Sequence, residues 1–362
     1  MFLKIWERVT ELYINAHISG LKRANTSNGR AEYLRLDMNE NPEGLPDEFV
    51  KRVLGGITPK MLSMYPESQD LVRKIAAHNG VEEDQITLTN GSDEALKTIF
   101  EVFGEPGKGM LAVTPTFAMY PIYAKMYGME IREIAYGEDF SISIDEICDA
   151  ITEKTSIVSL VNPNNPIGNV YEPEQLEQII VCARGVGALV IVDEAYHYFY
   201  RETALPLLRQ YDNLIVIRTF SKLFSLAALR IGYAAAQSKL IRLINAARPT
   251  YTVNAMAITF ATAVLEEEGL LEHLISTEKE GKRYLTKQLE EFGYPYIAGS
   301  GNFLFIKTKR DYLEVVERLK GLNVLVKSYD LQQLKGYIRV TTGSVQAMEQ
   351  FWTCFRQVDM VD

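Results

Sequence analysis

Two short segments of this chain, ALVIVD at residues 188–193 and LIVIRT at residues 214–219, are almost entirely apolar. A strand with one face in water alternates apolar and polar residues, whereas an unbroken apolar strand is typical of burial on both faces. Strands of that kind belong to parallel sheets that carry helices on each side. These two segments therefore predict an α/β fold.

The middle of the chain alternates β-rich runs with helical stretches, as an α/β domain requires. Strands are predicted at residues 85–89, 110–114, 130–135, 156–161, 189–193, 214–218 and 231–236. Helices are predicted at residues 92–103, 116–127, 145–151 and 173–184. We therefore expect a large domain with a mostly parallel, seven-stranded sheet flanked by helices.

The pattern changes after about residue 253, where long, highly charged helical stretches run to residue 292. They are followed by a strand in NFLFIK at 302–307, a helix at 312–320, the strand YIRVTT at 337–342 and a last helix from Ser344. This order predicts a smaller α+β domain. We divide the chain into an N-terminal segment at 1–40, expected to pack beside the small domain, a large domain at 41–250 and a small C-terminal domain at 251–362.

The composition is that of a globular protein, with 362 residues, 47% of them hydrophobic and 23% charged. A formal net charge of −9 argues against nucleic acid or an anionic membrane as the main partner. Cys148, Cys182 and Cys354 are too few and too scattered for a disulfide framework or a metal site. Residues 1–20 resemble an amphipathic helix rather than a signal peptide. We therefore expect a cytoplasmic protein without a metal.

The most informative motif surrounds Lys222, which follows the second apolar run. Desolvation at the end of a buried strand, together with nearby cations, lowers the pKa of a lysine and frees its amine as a nucleophile. Hydroxyls at Thr219 and Ser221, with Arg230, can bind a phosphate. An ordinary surface lysine at a helix start is the alternative, which the T-x-S-K spacing alone does not exclude.

A second motif begins at Asp193, which ends the first apolar run and so lies at the carboxyl edge of the sheet, where α/β proteins bind ligands. A carboxylate at that edge can keep a heteroaromatic ring nitrogen protonated, and Tyr196 can reach the same ligand. The alternative is a helix-capping aspartate followed by a core tyrosine.

Two further loops follow predicted strands. NPNNPIG at 162–168 uses two prolines and a glycine to present amide side chains. In TNGSD at 89–93, a glycine turn enters a helix, whose backbone N–H groups at Ser92 and Asp93 form an anion site. A capping serine explains the second pattern equally well.

Along the chain, the loop NPNNPIG is followed by Asp193, then by Lys222 and then by Arg230. In this chain order the motifs resemble those of fold-type-I pyridoxal-phosphate enzymes, specifically the class I and II aminotransferases, from about residue 36 to residue 342. The resemblance implies that Lys222 holds pyridoxal 5′-phosphate covalently and moves the substrate proton, and that Asp193 pairs with the pyridine nitrogen. The other cofactor contacts that it implies are Asn165 and Tyr196 at the ring oxygen, Phe117 against the ring, and Thr219, Ser221, Arg230 and the amides of Ser92 and Asp93 at the phosphate.

Within this class the loop LDMNENPEG at 36–44 resembles the substrate loop of histidinol-phosphate aminotransferases. This subgroup resemblance implies substrate contacts from Asn39, Asn41, Asn302 and Arg339, with the arginine orienting a carboxylate or phosphate. Tyr65, in MYPES, is similar to a tyrosine that reaches the cofactor phosphate of the neighbouring subunit. The resemblance thus implies a homodimer with shared active sites.

The chain departs from the subgroup pattern at Met64, where an arginine is usual, at Ile167, where a threonine is usual, and at Ser225 and Ala228, where glycines are usual. Residues 1–35 have no clear counterpart. These departures leave the cofactor residues intact and concern substrate specificity. The expected reaction moves an amino group between an amino acid, or an amino-alcohol phosphate such as histidinol phosphate, and a 2-oxo acid such as 2-oxoglutarate.

Three alternatives remain open from the residues. A decarboxylase of the threonine-phosphate type would keep Lys222 and Asp193, as would racemases and lyases of the same fold. A non-catalytic pyridoxal-phosphate module of a regulator normally carries a fused DNA-binding domain, and residues 1–35 are too short a segment to form one. A nucleotide-binding α/β protein would need a G-x-G-x-x-G or Walker loop, and neither occurs.

Overall fold

The computed structural model describes residues 14–21 and 29–360. The predicted helix at 1–20 falls mostly outside them, and residues 16–20 form turns. The strands are β1 (Leu34–Arg35), β2 (Ile86–Thr89), β3 (Gly109–Thr114), β4 (Glu130–Ala135), β5 (Thr155–Val161), β6 (Leu189–Asp193), β7 (Leu214–Thr219), β8 (Gly232–Ala236), β9 (Tyr296–Ala298), β10 (Phe303–Lys307), β11 (Val324–Leu325), β12 (Lys327–Ser328) and β13 (Tyr337–Thr341). The helices are α1 (Asp47–Gly55), α2 (Pro59–Ser63), α3 (Gln69–Asn79), α4 (Gly91–Phe103), α5 (Met119–Met126), α6 (Ile144–Ala150), α7 (Pro173–Gly185), α8 (Ser238–Ala247), α9 (Ala255–Glu266), α10 (Leu270–Glu291), α11 (Tyr312–Gly321) and α12 (Val345–Asp359).

The large sheet has seven strands in the order β2-β8-β7-β6-β5-β3-β4 among the described residues. All neighbours are parallel except at β8, which runs antiparallel to both β2 and β7. The prediction of a mostly parallel, seven-stranded sheet is confirmed. Strand β8 is antiparallel because the chain turns back after β7 through residues 220–231 without a crossover helix, and Lys222 lies in this connection.

The unbroken apolar runs are explained by two cores, one on each face of the large sheet. Side chains along a strand point alternately to opposite faces. In β6, Val190 and Val192 accordingly enter one core, with residues of α3, α6 and α7. Leu189 and Ile191 enter the other, with residues of α4, α5 and α8. Alternate residues of the strand thus enter different cores, and both sets need apolar side chains.

Strand register brings the four sequence motifs to one edge of the large sheet. Strands β5, β6 and β7 run parallel, so their carboxyl ends lie side by side, and β8 and β2 bring the turn before α4 to the same edge. The register pairs at this edge are Val161 with Asp193, Asp193 with Ile217, Thr219 with Gly232, and Thr89 with Gly232.

A smaller antiparallel sheet, β12-β13-β10-β9, packs with α10, α11 and α12 around a third core. Leu36 belongs to this core, and β1 pairs with β11. Helix α9 instead packs against α3, and the first turns of α10 also enter the large-domain core. We therefore propose that the N-terminal segment from β1 onward belongs with the small domain, and that the boundary drawn at residue 250 lies within α10.

Several helices begin at a residue whose side chain accepts a hydrogen bond from the first turn, which satisfies backbone N–H groups that have no partner within the helix. Asn254 caps α9, Asp311 caps α11 and Ser344 caps α12. Within residues 14–21 and 29–360, no helix combines the length and the apolar character that crossing a membrane requires.

Candidate active site

A cavity of about 470 Å³ opens at this sheet edge, between the large sheet and the small domain. We call it the main cleft. Most of the residues predicted from the sequence line it together, namely Asn39, Ser92, Asp93, Phe117, Asn165, Asp193, Tyr196, Thr219, Ser221, Lys222, Arg230 and Arg339.

Three of the predicted residues lie elsewhere. Asn41 and Asn302 line a second cavity of about 400 Å³, which shares Lys222 with the main cleft. Tyr65 lines neither cavity of its own chain, because its side chain is 75% exposed and stacks on Tyr251 with the ring centroids 4.4 Å apart.

Lys222 carries its amine into the main cleft, where Nζ donates a hydrogen bond to the Met38 carbonyl at 2.9 Å. Nζ also lies 5.6 Å from the centroid of the Tyr196 ring. Burial, and then the positive charge of Arg339, lower the pKa of Lys222 to about 8. More of this amine is therefore neutral and nucleophilic near neutral pH than in a free lysine.

Asp193 ends β6 with a side chain that is only 3% exposed. Burial raises its pKa to about 6, although two hydrogen bonds to the carboxylate oppose the rise. The backbone N–H of Ala195 donates to Oδ1 at 3.0 Å, and the Tyr120 hydroxyl donates to Oδ2 at 3.2 Å. A buried carboxylate held in this way is ready to pair with a cation at the floor of the cleft.

Tyr120 was missed from the sequence, where it reads as a core residue of the helix after TPTF. It is fully buried on α5, and its only sequence signal is a tyrosine on the apolar face of a helix, where a buried hydroxyl needs a partner. The neighbouring tyrosine on the same helix, Tyr123, donates instead to Asp93 Oδ1 at 2.8 Å. The two tyrosines therefore lie on the same helix and each donates to a different aspartate.

We expect Tyr120→Phe to lower kcat/KM about tenfold without unfolding the protein. The substitution keeps the ring and removes one hydrogen bond to a charged acceptor, which is worth about 1.5–3 kcal/mol. Steady-state kinetics and thermal melting measure the effect, with Tyr123→Phe as the control that spares Asp193. A Tyr120→Phe enzyme with the kcat/KM of the parent would show that the Tyr120 hydroxyl has no particular role at Asp193.

Tyr196 and Asn39 join the two domains across the main cleft. Asn39 Nδ2 donates to the Tyr196 hydroxyl at 2.8 Å, and the Asn39 N–H donates to Thr341 Oγ1 at 3.0 Å. Asn302 Nδ2 donates to the Asn39 carbonyl at 3.2 Å, so Asn302 supports this loop from the second cavity. Burial raises the pKa of Tyr196 to about 12, which keeps its hydroxyl protonated as a donor.

Arg339 lies on β13 with only 4% of its surface exposed. Its guanidinium donates to Asn165 Oδ1 at 2.8 Å, to the Tyr329 hydroxyl at 2.6 Å and to the Asp37 carbonyl at 2.7 Å. These partners are uncharged, and Nε is buried with no hydrogen-bond partner among the described residues. The positive charge therefore remains available to an anion in the cleft. Tyr329 was also missed from the sequence.

A second group of residues in the main cleft is also suited to an anion. Thr219 and Ser221 hold their hydroxyl groups 2.9 Å apart, and α4 begins beside them. Gly91 has φ +75°, and a Cβ there would lie 2.5 Å from Nη2 of Arg230, so glycine lets the guanidinium lie against the start of the helix. The N–H groups of that first turn and the guanidinium converge on one place.

Comparison with known proteins agrees with this arrangement. The family described as aminotransferase class I and II matches residues 31–353. The histidinol-phosphate aminotransferase of Caldanaerobacter subterraneus subsp. tengcongensis is 31% identical, with 96% of this chain and 99% of that protein aligned. The corresponding enzyme of Caldicellulosiruptor saccharolyticus is 32% identical over 99% of this chain and all of the relative.

Solved structures show the same fold. The histidinol-phosphate aminotransferase of Sinorhizobium meliloti, in complex with pyridoxal-5′-phosphate, has a TM-score of 0.84 at 20% identity, covering 95% of this chain and 97% of that one. An aspartate aminotransferase mutant of Thermus thermophilus has a TM-score of 0.79 at 20% identity, covering 96% of this chain and all of that one. The family match and the near full-length relatives together show that this chain belongs to the class I and II aminotransferases and is an enzyme of that kind.

Proposed function

We propose that this aminotransferase binds pyridoxal 5′-phosphate in the main cleft and transfers an amino group from a phosphorylated amino alcohol such as histidinol phosphate to a 2-oxo acid such as 2-oxoglutarate. One observation carries the cofactor assignment. A lysine amine whose pKa is lowered to about 8 and a buried carboxylate both project into one cavity from the ends of adjacent strands.

The residues of the cleft fit this cofactor at three separate points. Arg230, the hydroxyls of Thr219 and Ser221 and the start of α4 suit the phosphate, because they combine a cation with N–H and O–H donors. The Asp193 carboxylate suits the protonated pyridine nitrogen, and the Lys222 amine suits the aldehyde. Phe117 also lines the cleft and offers an apolar surface to the ring.

When bound, pyridoxal phosphate supplies an electron sink for the bond broken at the substrate carbon. Asp193 keeps the ring nitrogen protonated, because a carboxylate within about 4–6 Å favours the cation. Lys222 takes the proton from the substrate α-carbon as a general base and returns it as an acid. Arg339 orients the substrate anion, and Tyr196 with Asn165 holds the ring oxygen.

The substrate class rests on the cations of the cleft and on the relatives. Lys327 on β12 lines the cleft and lies opposite Arg339 in the register of β12 and β13. Two cations on neighbouring strands favour a doubly charged group such as a phosphomonoester over a single carboxylate. The relatives that span nearly the full chain carry the name histidinol-phosphate aminotransferase.

A donor screen on the cofactor-loaded enzyme tests the substrate. Histidinol phosphate and histidinol form the matched pair, and glutamate, aromatic amino acids and phosphothreonine complete the screen. We expect histidinol phosphate to convert the cofactor absorbance fastest, with histidinol slower by at least about tenfold, since a charge-assisted contact is worth about 1.5–3 kcal/mol. Equal rates for the pair would contradict the phosphate assignment, and carbon dioxide release from phosphothreonine would indicate the decarboxylase alternative.

We also propose that the enzyme works as a homodimer in which Tyr65 completes the partner's site. The Tyr65 ring and the Tyr251 ring stack at the surface, where Tyr251 is 55% exposed, beside the exposed apolar side chains of Leu62 and Met64. Exposed apolar side chains grouped in this way are typical of protein interfaces. An exposed tyrosine that lies outside the cleft of its own chain can reach the cleft of a neighbouring subunit.

We expect Tyr65→Phe to weaken cofactor retention about ten- to a hundredfold while the dimer persists, because one hydrogen bond to a charged acceptor is lost. Mixing Tyr65→Phe with Lys222→Ala protein gives the sharper measurement. In the mixed dimer the site that keeps Lys222 takes its Tyr65 from the partner, so one site is intact. Activity should rise to about half that of the parent per mixed dimer. Mass measurement first has to show that the subunits exchange. If activity then fails to recover, Tyr65 serves its own chain.

A further inference from the structure

Cys148 and Cys182 lie 34 positions apart in the sequence, but the fold brings them into contact. Cys148 lies on α6 and Cys182 on α7, and the two helices pack side by side. Their sulfur atoms are 2.7 Å apart. Three free cysteines make no disulfide framework, but these two are neighbours in the fold.

The surroundings of the pair hold the two helices in this arrangement. Gln178 of α7 donates through Nε2 to Asp145 Oδ1 of α6 at 3.1 Å, which crosses the same helix contact. Both cysteines are half-buried, so a small reagent can reach them. Cys354 is also half-buried, but it lies on α12 against the third core. It therefore provides a matched control within the same chain.

We propose that Cys148 and Cys182 form a reversible disulfide that joins α6 to α7, with a small-molecule disulfide as the oxidant. The sulfur of Cys182 attacks one sulfur of the oxidant and releases one small thiol. The sulfur of Cys148 then attacks the Cys182 side of the mixed disulfide and releases the second small thiol. Two protein thiols are oxidised, one small disulfide is reduced to two thiols, and the two protons of the protein thiols pass to the released small thiols.

The position of the pair gives the bond a structural effect. The segment that the bond would close contains β5 and the loop 162–168, which carries Asn165 to the main cleft. Closing a segment of this length restricts the unfolded chain, so the oxidised form should unfold at a higher temperature. Burial, and then the neighbouring Cys182, raise the pKa of Cys148 to about 12. The exchange is therefore expected to be slow at neutral pH and faster in alkaline buffer.

Incubating the full-length protein with oxidised glutathione, followed by mass spectrometry and peptide mapping, tests the proposal. We expect the chain to lose the mass of two hydrogen atoms and to yield one peptide pair linked through Cys148 and Cys182. Two of the three thiols should disappear from a thiol titration of the unfolded protein. The melting temperature should rise by about 5 °C and return on reduction with dithiothreitol.

Cys354→Ser is expected to behave like the parent, whereas Cys148→Ser and Cys182→Ser should each lose both the linked peptide and the rise in melting temperature. Stable glutathione adducts on Cys148 or Cys182 without a linked peptide would overturn the proposal. A cross-link between two chains through Cys354, with the other two thiols still free, would overturn it as well.

Discussion

Lys222→Ala is expected to abolish transamination, with a loss of at least about a thousandfold. The variant loses the amine proposed to hold the cofactor, which is also the only group proposed to move the substrate proton. It should still fold, because among the described residues Lys222 makes a single hydrogen bond, to the Met38 carbonyl, and contributes no apolar side chain to the cores. Activity assays and cofactor absorbance measure the two losses separately.

Lys222→Arg is the matched control, since it keeps a cation in the cleft but has no primary amine. We expect it to be as inactive as Lys222→Ala, although its charge is retained. Activity in the arginine variant would mean that Lys222 acts through its charge alone. A variant that kept parental activity after loss of Lys222 would remove this residue from the mechanism.

Asp193→Asn should lower activity by about ten- to a thousandfold while the protein keeps its cofactor. An amide has the same shape as the carboxylate but no charge, and a neighbouring carboxylate shifts the pKa of a cation by about 1–3 units. The loss should therefore appear in the proton-transfer step rather than in binding. Single-turnover kinetics with a deuterated donor separate these steps, because only proton transfer carries the isotope effect.

The control for this variant is Asp193→Glu, which keeps the charge but lengthens the side chain in a buried position. Partial recovery relative to Asp193→Asn would support a charge effect. If the Asp193→Asn variant and the parent enzyme had rates within a few-fold of each other, Asp193 would cap the loop before Tyr196 and would not pair with the ring nitrogen.

The architecture of the large domain was predictable because its central strands must serve two cores. That demand left unbroken apolar runs in β6 and β7, and the runs alone placed Asp193 and Lys222 at one sheet edge. The division into domains was less accessible from sequence. Helix α9 has an apolar face like that of any core helix. Only the fold reveals that this face packs against α3 of the large domain.

Contacts between side chains distant in the sequence account for what was missed. Tyr120 reaches Asp193 over 73 residues, and a helical tyrosine gives no sign of its partner. The prediction that Asn302 contacts substrate stays a prediction, and the sequence did not reveal that Asn302 lines the second cavity beside Lys222 and donates to the Asn39 carbonyl. The contact between Cys148 and Cys182 depends in the same way on how two helices pack.

The central claim is that Lys222 holds the cofactor covalently in the main cleft. Reducing the cofactor-loaded enzyme with borohydride, digesting it and sequencing the labelled peptide by mass spectrometry tests this directly. We predict one labelled peptide, with the cofactor mass on Lys222 and none on Lys327, the other lysine of the cleft. A label on a different lysine, or an active enzyme with no reducible linkage, would contradict the claim.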